Sequence, residues 1–197
     1  MEPNLDQRYN RILDSVVHIM DALGLDLTDD SLERTPHRIA KMFTREVFSG
    51  LFTERPRMMA VENKFNFDQM LTVSNIEFSS MCEHHFMPFI GYAHVAYIPN
   101  DKILCLSKFN RLVQWCAKRP QVQERLTSDI ANNLVEILGT LDVAVVIDAL
   151  HTCVRSRGVE DSHSVTRTTS VFGKFRIDQT VRQEFLSGIP SVESFRL

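Results

Sequence analysis

Apolar positions change period three times along this chain, and the changes divide it into four stretches. Tyr9, Ile12, Leu13, Val16, Met20 and Leu23 recur at helical spacing, with Gly24 as a stop. Thr35-Pro36 reads as an N-cap followed by proline at the first helical position. Ile39, Met42, Phe43 and Val47 form the stripe of that second helix, ended by Gly50. From Leu71 the pattern turns to strands, predicted over Leu71 to Met81 and Tyr92 to Ile98, the second closed by Pro99, Asn100 and Asp101. Ser107 is then expected to cap a helix carrying Phe109, Leu112, Val113 and Cys116 as far as Pro120. A further helix bears Val122, Leu126, Ile130, Leu134 and Leu138, with Gly139 as its C-terminal signal. Val143 to Arg157 is rich in β-branched residues and reads as a buried strand. Ser164 to Val171 reads as a half-exposed strand, and Asp178 to Leu186 as a closing helix. Two helices, a strand pair, two helices and another strand pair make the class α+β. No stretch reads as a linker, so residues 1–197 are expected to form one domain, with a helical part over 1–55 and a strand-rich part over 65–197.

Composition narrows the function classes. A chain of 197 residues with 44% hydrophobic and 24% charged content is that of a globular protein with its own core. A net charge of −3 supplies no global field for nucleic acid or an anionic membrane, so neither is expected as a partner, and any phosphate site must be local. Met1 to Arg8 lacks the charged-then-apolar order of a signal peptide, and Val143 to Leu150 is too short to span a bilayer. A cytoplasmic location is the expectation. Cys82, Cys105, Cys116 and Cys153 have no framework spacing and read as thiols or metal ligands.

Cys82-Glu83-His84-His85 places a thiolate and an imidazole three residues apart, able to reach one ion from a turn or helical segment. Cys153 is the third candidate ligand. If the strand through it runs on, His151, Cys153, Arg155 and Arg157 share one face. Two Cys and one His favour zinc over magnesium or calcium, and three protein ligands leave a position for water, whose pKa zinc lowers to about 7. His84 and His151 remain as neighbours able to move protons. Two bland readings stand beside this one: buried cysteines acting as small hydrophobes, and a structural zinc with Cys105 or Cys116 as fourth ligand. Lys108 and Arg111, in the first turn of the helix after Ser107, lie where free N–H groups favour an anion; a solvated helix face is the alternative, and on the residues alone the preferred one for Arg111.

Several segments together resemble the GTP cyclohydrolase I family. They are Glu33-Arg34-Thr35-Pro36-His37-Arg38-Ile39-Ala40, Cys82-Glu83-His84-His85 with Gly91, and Val95-Ala96-Tyr97-Ile98-Pro99. Leu106-Ser107-Lys108, Gln121-Val122-Gln123-Glu124-Arg125-Leu126, and His151-Thr152-Cys153 with Arg157-Gly158 follow in order. The resemblance implies N-terminal helices followed by a ββααββ tunnelling-fold unit with antiparallel strands and two helices, assembling into an oligomeric barrel. It also implies a homodecamer of two pentamers with active sites at subunit interfaces, converting GTP and water to 7,8-dihydroneopterin triphosphate and formate. By the same resemblance Cys82, His85 and Cys153 hold Zn2+, and His84 and His151 are catalytic, with Ser107 assisting the later steps. Glu124 reads the guanine edge, Gln123 lines the pocket, and Lys108, Arg111, Arg157 and Arg38 bind triphosphate. The chain departs from the family pattern at Cys105, where glycine is usual, and at Tyr92, where lysine is common. No long N-terminal extension precedes the first helix, so a regulatory segment of that kind is not expected. Two other readings remain open here: a fold relative that binds a purine or pterin without opening it, and a zinc-stabilised interaction module.

Overall fold

The structure, a computed structural model, describes residues 4–190. These residues divide into two compact units, one running to Glu54 and one from Arg55 onward.

In the N-terminal unit, α1 (Leu5–Ala22) begins with a capping box in which the Asn4 and Gln7 side chains each bond the other's backbone N–H. Val16 and Met20 are its buried positions, and Gly24 ends it at φ +70°. The second helix is shorter and less regular than its spacing predicts. α2 covers Thr35–Lys41, with Arg34 rather than Thr35 at the N-cap and Pro36 within the first turn. The chain then widens into a π-helical turn, Met42–Val47, and tightens into a 3-10 turn, Ser49–Leu51. At this junction the Thr44 hydroxyl donates to the Ala40 carbonyl at 2.7 Å, competing with the regular ladder. Pro36, Ala40, Thr44 and Phe48 are buried, and Ile39, Met42, Phe43 and Val47 flank them half-buried.

The second unit is built on a five-stranded sheet. Its strands are β2 (Leu71–Cys82), β3 (Pro88–Tyr97), β5 (Pro120–Gln121), β6 (Val143–His151) and β7 (Thr166–Val171), in the order β5-β2-β3-β6-β7. Every pairing is antiparallel except the short parallel contact of β5 with Met81 and Cys82. A bulge interrupts β2 between Val73 and Ile76, with Asn75 at φ +57°. The remaining two strands, β1 (Ala60–Glu62) and β4 (Lys102–Leu104), pair only with each other.

Helices α3 (Ser107–Ala117) and α4 (Gln123–Leu138) cover one face of the sheet. Phe109, Leu112, Val113 and Cys116 of α3, with Leu126, Ile130, Leu134 and Leu138 of α4, meet Phe78, Phe89, Val95, Tyr97, Val145 and Ile147. The heptad-like spacing of both helices therefore ends in one apolar core, as expected. Gly139 closes α4 at φ +66°. On the opposite face Ala96, Ile98, Ala144 and Val146 pack against Phe175 of α6 (Gly173–Ile177) and Phe185 of α7 (Gln179–Ser187). Asp178 is not the first residue of the last helix but its N-cap, accepting from the Thr180 and Val181 amides.

Two further expectations change. The strand read over Val143 to Arg157 stops at His151, and Thr152–Arg155 forms a single helical turn, α5. Ser107 is the first helical residue of α3, Leu106 holds the N-cap position, and no side chain caps the helix.

Candidate metal centre

Two turns bring the site together. Cys82 ends β2, and the following turn is closed by two bonds, Phe86 N–H to the Cys82 carbonyl and Cys82 N–H to the Met87 carbonyl, each 2.8 Å. Phe86 occupies the left-handed region at φ +52°. His84 and His85 lie exposed on this turn, with His84 Nδ1 at 3.6 Å from Cys82 Sγ. Cys153 arrives from α5. The ladder between β3 and β6 ends at the Phe89–His151 pair, because Pro88 has no N–H to continue it. Beyond His151 the chain turns helically, and the Thr152 hydroxyl donates to the Pro88 carbonyl at 2.6 Å. His151 and Cys153 thus come together through a helical turn, not through a shared strand face.

The ligand atoms of Cys82, His85 and Cys153 all lie within 4.8 Å of one another. A tetrahedral zinc, with Zn–S about 2.3 Å and Zn–N about 2.1 Å, separates its ligand atoms by roughly 3.5–3.8 Å, so the group needs only a small closure. Burial, and then the neighbouring Cys82 thiol, push the Cys153 thiol above its usual value. Cys116 is no fourth ligand: it is fully buried in the core beneath α3, and burial pushes its thiol up to about 12. Among the described residues the metal-competent group has three side chains.

His151 is held by a ring stack and a hydrogen bond. Its ring stacks on Phe89 with centroids 4.8 Å apart and planes within 5°. Its Nε2 lies 2.8 Å from Gln123 Oε1. Gln123 is buried, and its Nε2 donates to the Ile147 carbonyl (3.0 Å), the Thr166 carbonyl (2.9 Å) and Thr168 Oγ1 (3.1 Å). Carbonyls only accept, so the amide nitrogen must face them and its oxygen must face the ring. His151 Nε2 therefore carries the hydrogen, leaving Nδ1 as the nitrogen open to other partners. Burial lowers the His151 pKa, partly offset by the Glu124 carboxylate. Gln123 was expected to line the pocket; its amide faces inward and shapes the site through His151.

The remaining expected residues are distributed unevenly. Glu124 is exposed on the first turn of α4, near enough for its charge to act on His151. Arg157 Nη1 donates to His85 Nε2 at 2.8 Å, which sets a guanidinium beside the ligand group. Ser107, Lys108 and Arg111 lie along the start of α3, Arg111 already in the second turn. The free amides expected there are largely used, since Lys108 N–H bonds the Cys105 carbonyl and Phe109 N–H the Leu106 carbonyl. Arg38 belongs to the N-terminal unit, where it donates to the Ser31 carbonyl at 3.4 Å. Sequence reasoning gave no role to Phe89, Thr166 or Thr168, whose contribution depends on which strands become neighbours.

The family model described as GTP cyclohydrolase I matches residues 12–190. The chain is 52% identical over 187 residues to GTP cyclohydrolase 1 of Aeromonas salmonicida (strain A449), covering 94% of this chain and 86% of that protein. It is 51% identical over 185 residues to GTP cyclohydrolase 1 of Serratia proteamaculans (strain 568), covering 93% and 84%. GTP cyclohydrolase 1 of Citrobacter koseri (strain ATCC BAA-895 / CDC 4225-83 / SGSC4696) is 51% identical over 189 residues, covering 95% and 85%. With matches of this length running through both the Cys-His-Cys group and the His151 support, the chain belongs to the GTP cyclohydrolase I family.

Proposed function

We propose that this chain opens the purine ring of GTP hydrolytically at C8, releases formate and forms 7,8-dihydroneopterin triphosphate, using zinc held by Cys82, His85 and Cys153. The observation that carries the reading is a three-ligand group, one of whose members, Cys153, follows by two residues an imidazole whose tautomer is fixed. Zinc, when bound, supplies the Lewis acidity that brings a water's pKa down to about 7. His151 exchanges protons at Nδ1: it takes one from the attacking water and returns it to the imidazole-ring nitrogen as the C8–N bond breaks. Gln123 keeps the ring in the tautomer this needs, and Phe89 keeps its plane. The formamide so produced is hydrolysed in turn to formate. Ser107 and His84 assist the ribose rearrangement and ring closure that follow.

Glu124 accepts from the guanine N–H and exocyclic amine. Arg157, Lys108, Arg111 and Arg38 neutralise the triphosphate, with Arg157 nearest the ligand group. The functional assembly is an oligomer. β5 pairs with only Met81 and Cys82 of β2, so the long outer edge of β2 and the β7 edge are suited to pairing with further copies in a closed barrel, a decamer of two pentamers. No helix among the described residues is long and apolar enough to cross a membrane, and a cytoplasmic location fits this reading.

The test is direct. Zinc-loaded protein incubated with GTP is expected to release formate and develop a dihydropterin chromophore, one of each per GTP. GTP left intact by protein carrying one zinc per chain would overturn the proposal. Native mass spectrometry reads the assembly, and a monomer would sink its oligomeric part.

A further inference from the structure

Glu83 stands between the ligands Cys82 and His85, and the proposed chemistry gives it no part. Its carboxylate pairs with Arg125 Nη2. Arg125 also donates from Nε to Gln121 Oε1 at 2.8 Å and from Nη2 to the Pro120 carbonyl at 3.0 Å. Gln121 is fully buried and anchored in turn, its Nε2 donating to the Cys116 carbonyl (3.2 Å) and to Asp129 Oδ2 (3.0 Å). The main chain repeats the connection: Glu83 N–H donates to the Gln121 carbonyl at 3.0 Å, and Cys82 lies beside Gln121 in the parallel contact of β2 with β5. The metal-ligand turn is therefore fastened twice to Pro120–Gln121. Two residues later that segment becomes α4, whose first three residues are Gln123, Glu124 and Arg125.

An exposed ion pair on a helix ordinarily contributes little, and the Arg125 and Glu83 side chains keep 46% and 35% of their exposure. Two observations set this pair apart. The guanidinium is fixed at three acceptors on two separate segments, which only its planar fork allows. The turn it holds contains Phe86 in the left-handed region, a conformation that persists only where surrounding contacts impose it. Partners just outside a metal's ligands orient those ligands and govern metal retention.

We propose that Arg125 and Glu83 form a positioning clamp that sets the register between the metal-ligand turn and the start of α4, so that metal retention and placement of the purine ring depend on one guanidinium. The inference rests on the metal-site reading and assigns Arg125 no contact with substrate. Its loss lets the Cys82–His85 turn shift against Gln123 and Glu124, which separates the metal from the group that orients His151.

The test compares wild type with Arg125→Ala, Arg125→Lys, Glu83→Gln and the double variant Glu83→Gln/Arg125→Ala. Zinc release to a chromophoric chelator is measured first, then kcat and KM for GTP at saturating zinc. Arg125→Ala is expected to give up zinc about 10–100-fold more readily. With zinc restored, it should lose kcat by about tenfold or more while KM changes little, because the groups that bind GTP remain. Arg125→Lys keeps the charge without the fork and is expected to fall between. The double variant should be no worse than Arg125→Ala, because both changes break one contact. Should Arg125→Ala not fold, Arg125→Lys and Glu83→Gln decide the question. Wild-type zinc release and wild-type kcat in these variants would overturn the clamp. Wild type that binds no zinc would instead overturn the metal reading beneath it.

Discussion

Gln123 meets two carbonyls, one hydroxyl and one imidazole, and none of these lies near it in sequence: Ile147 is 24 residues away and Thr166 is 43. That is why its role as the support of His151 was not legible from spacing; only the family resemblance singled it out, as a residue lining the pocket. Gln123→Ala removes the acceptor from His151 Nε2 and a donor from both carbonyls, at a cost of about 1–3 kcal/mol in stability. The ring is then free to take the other tautomer, and kcat should fall by roughly 10²–10⁴-fold, the range of a lost general acid–base group. A thermal melt and a GTP turnover assay on the same preparation check both parts. A second buried histidine has a different consequence. His94 is 2% exposed and lies 3.7 Å from Asp148, which is already held by Arg167 through two bonds of 2.7 Å. Burial lowers the His94 pKa below 6.5, Asp148 opposes this and Arg167 adds to it, so the 3.7 Å contact is with a neutral ring. Below pH 6.5 the unfolded chain binds a proton that the folded chain refuses, so this contribution is complete above pH 6.5 and lost as pH falls through the folded value. Denaturant midpoints should therefore fall between pH 7 and pH 5.5. His151, lowered likewise by burial, adds to the same slope, and His94→Asn should flatten it by the His94 share alone.

Strand β6 shows where an element's end is decided. Its apolar run predicted a strand, and every residue from Val143 to Ala149 is buried as that run implies. The reading failed at Thr152 because a strand ends where its neighbours end, and those ends are written elsewhere: at Pro88 on one side, and at Thr166, the last partner of β6 on β7, on the other. Helix α4 was legible through to Gly139 because its apolar spacing and its left-handed cap are local properties. The small β1–β4 pair and α6 carried no comparable pattern and were not anticipated. Gly91 belongs with the long-range features. It lies in β3 where the chain crosses β6 so closely that a Cβ would stand 1.9 Å from the Asp148 carbonyl oxygen. Gly91→Ala should force β3 and β6 apart beside the Asp148–Arg167 pair, costing at least the 1–3 kcal/mol typical of an overpacked core. A lowered melting temperature and loss of soluble protein would show it; an unchanged melt would mean that the strands separate without cost.

The C-terminal unit has a core that does not depend on a metal. Phe78, Phe89, Phe109, Leu112, Ile130, Leu134 and Ile147 are each no more than 2% exposed, and they fill the space between the sheet and its two helices. The three ligands sit at that core's edge: Cys82 ends β2 and joins the core, Cys153 on α5 packs against it half-buried, and His85 is exposed on the turn after β2. Small domains that fold only with zinc have no such independent core. Chelation should therefore abolish GTP hydrolysis while leaving the far-ultraviolet circular dichroism unchanged. The unfolding free energy should drop by no more than the lost binding term, RT ln(1 + [Zn]/Kd), about 4 kcal/mol at a thousandfold excess over Kd. Adding zinc back should restore turnover without a refolding step. Cooperative unfolding on chelation would make the ion a structural support and put the open coordination position, and with it the hydrolytic role, in error. The architecture favours the first outcome, because most of the residues that would have to collapse are packed against one another between the sheet and its two helices, and Cys82 alone of the ligands is among them.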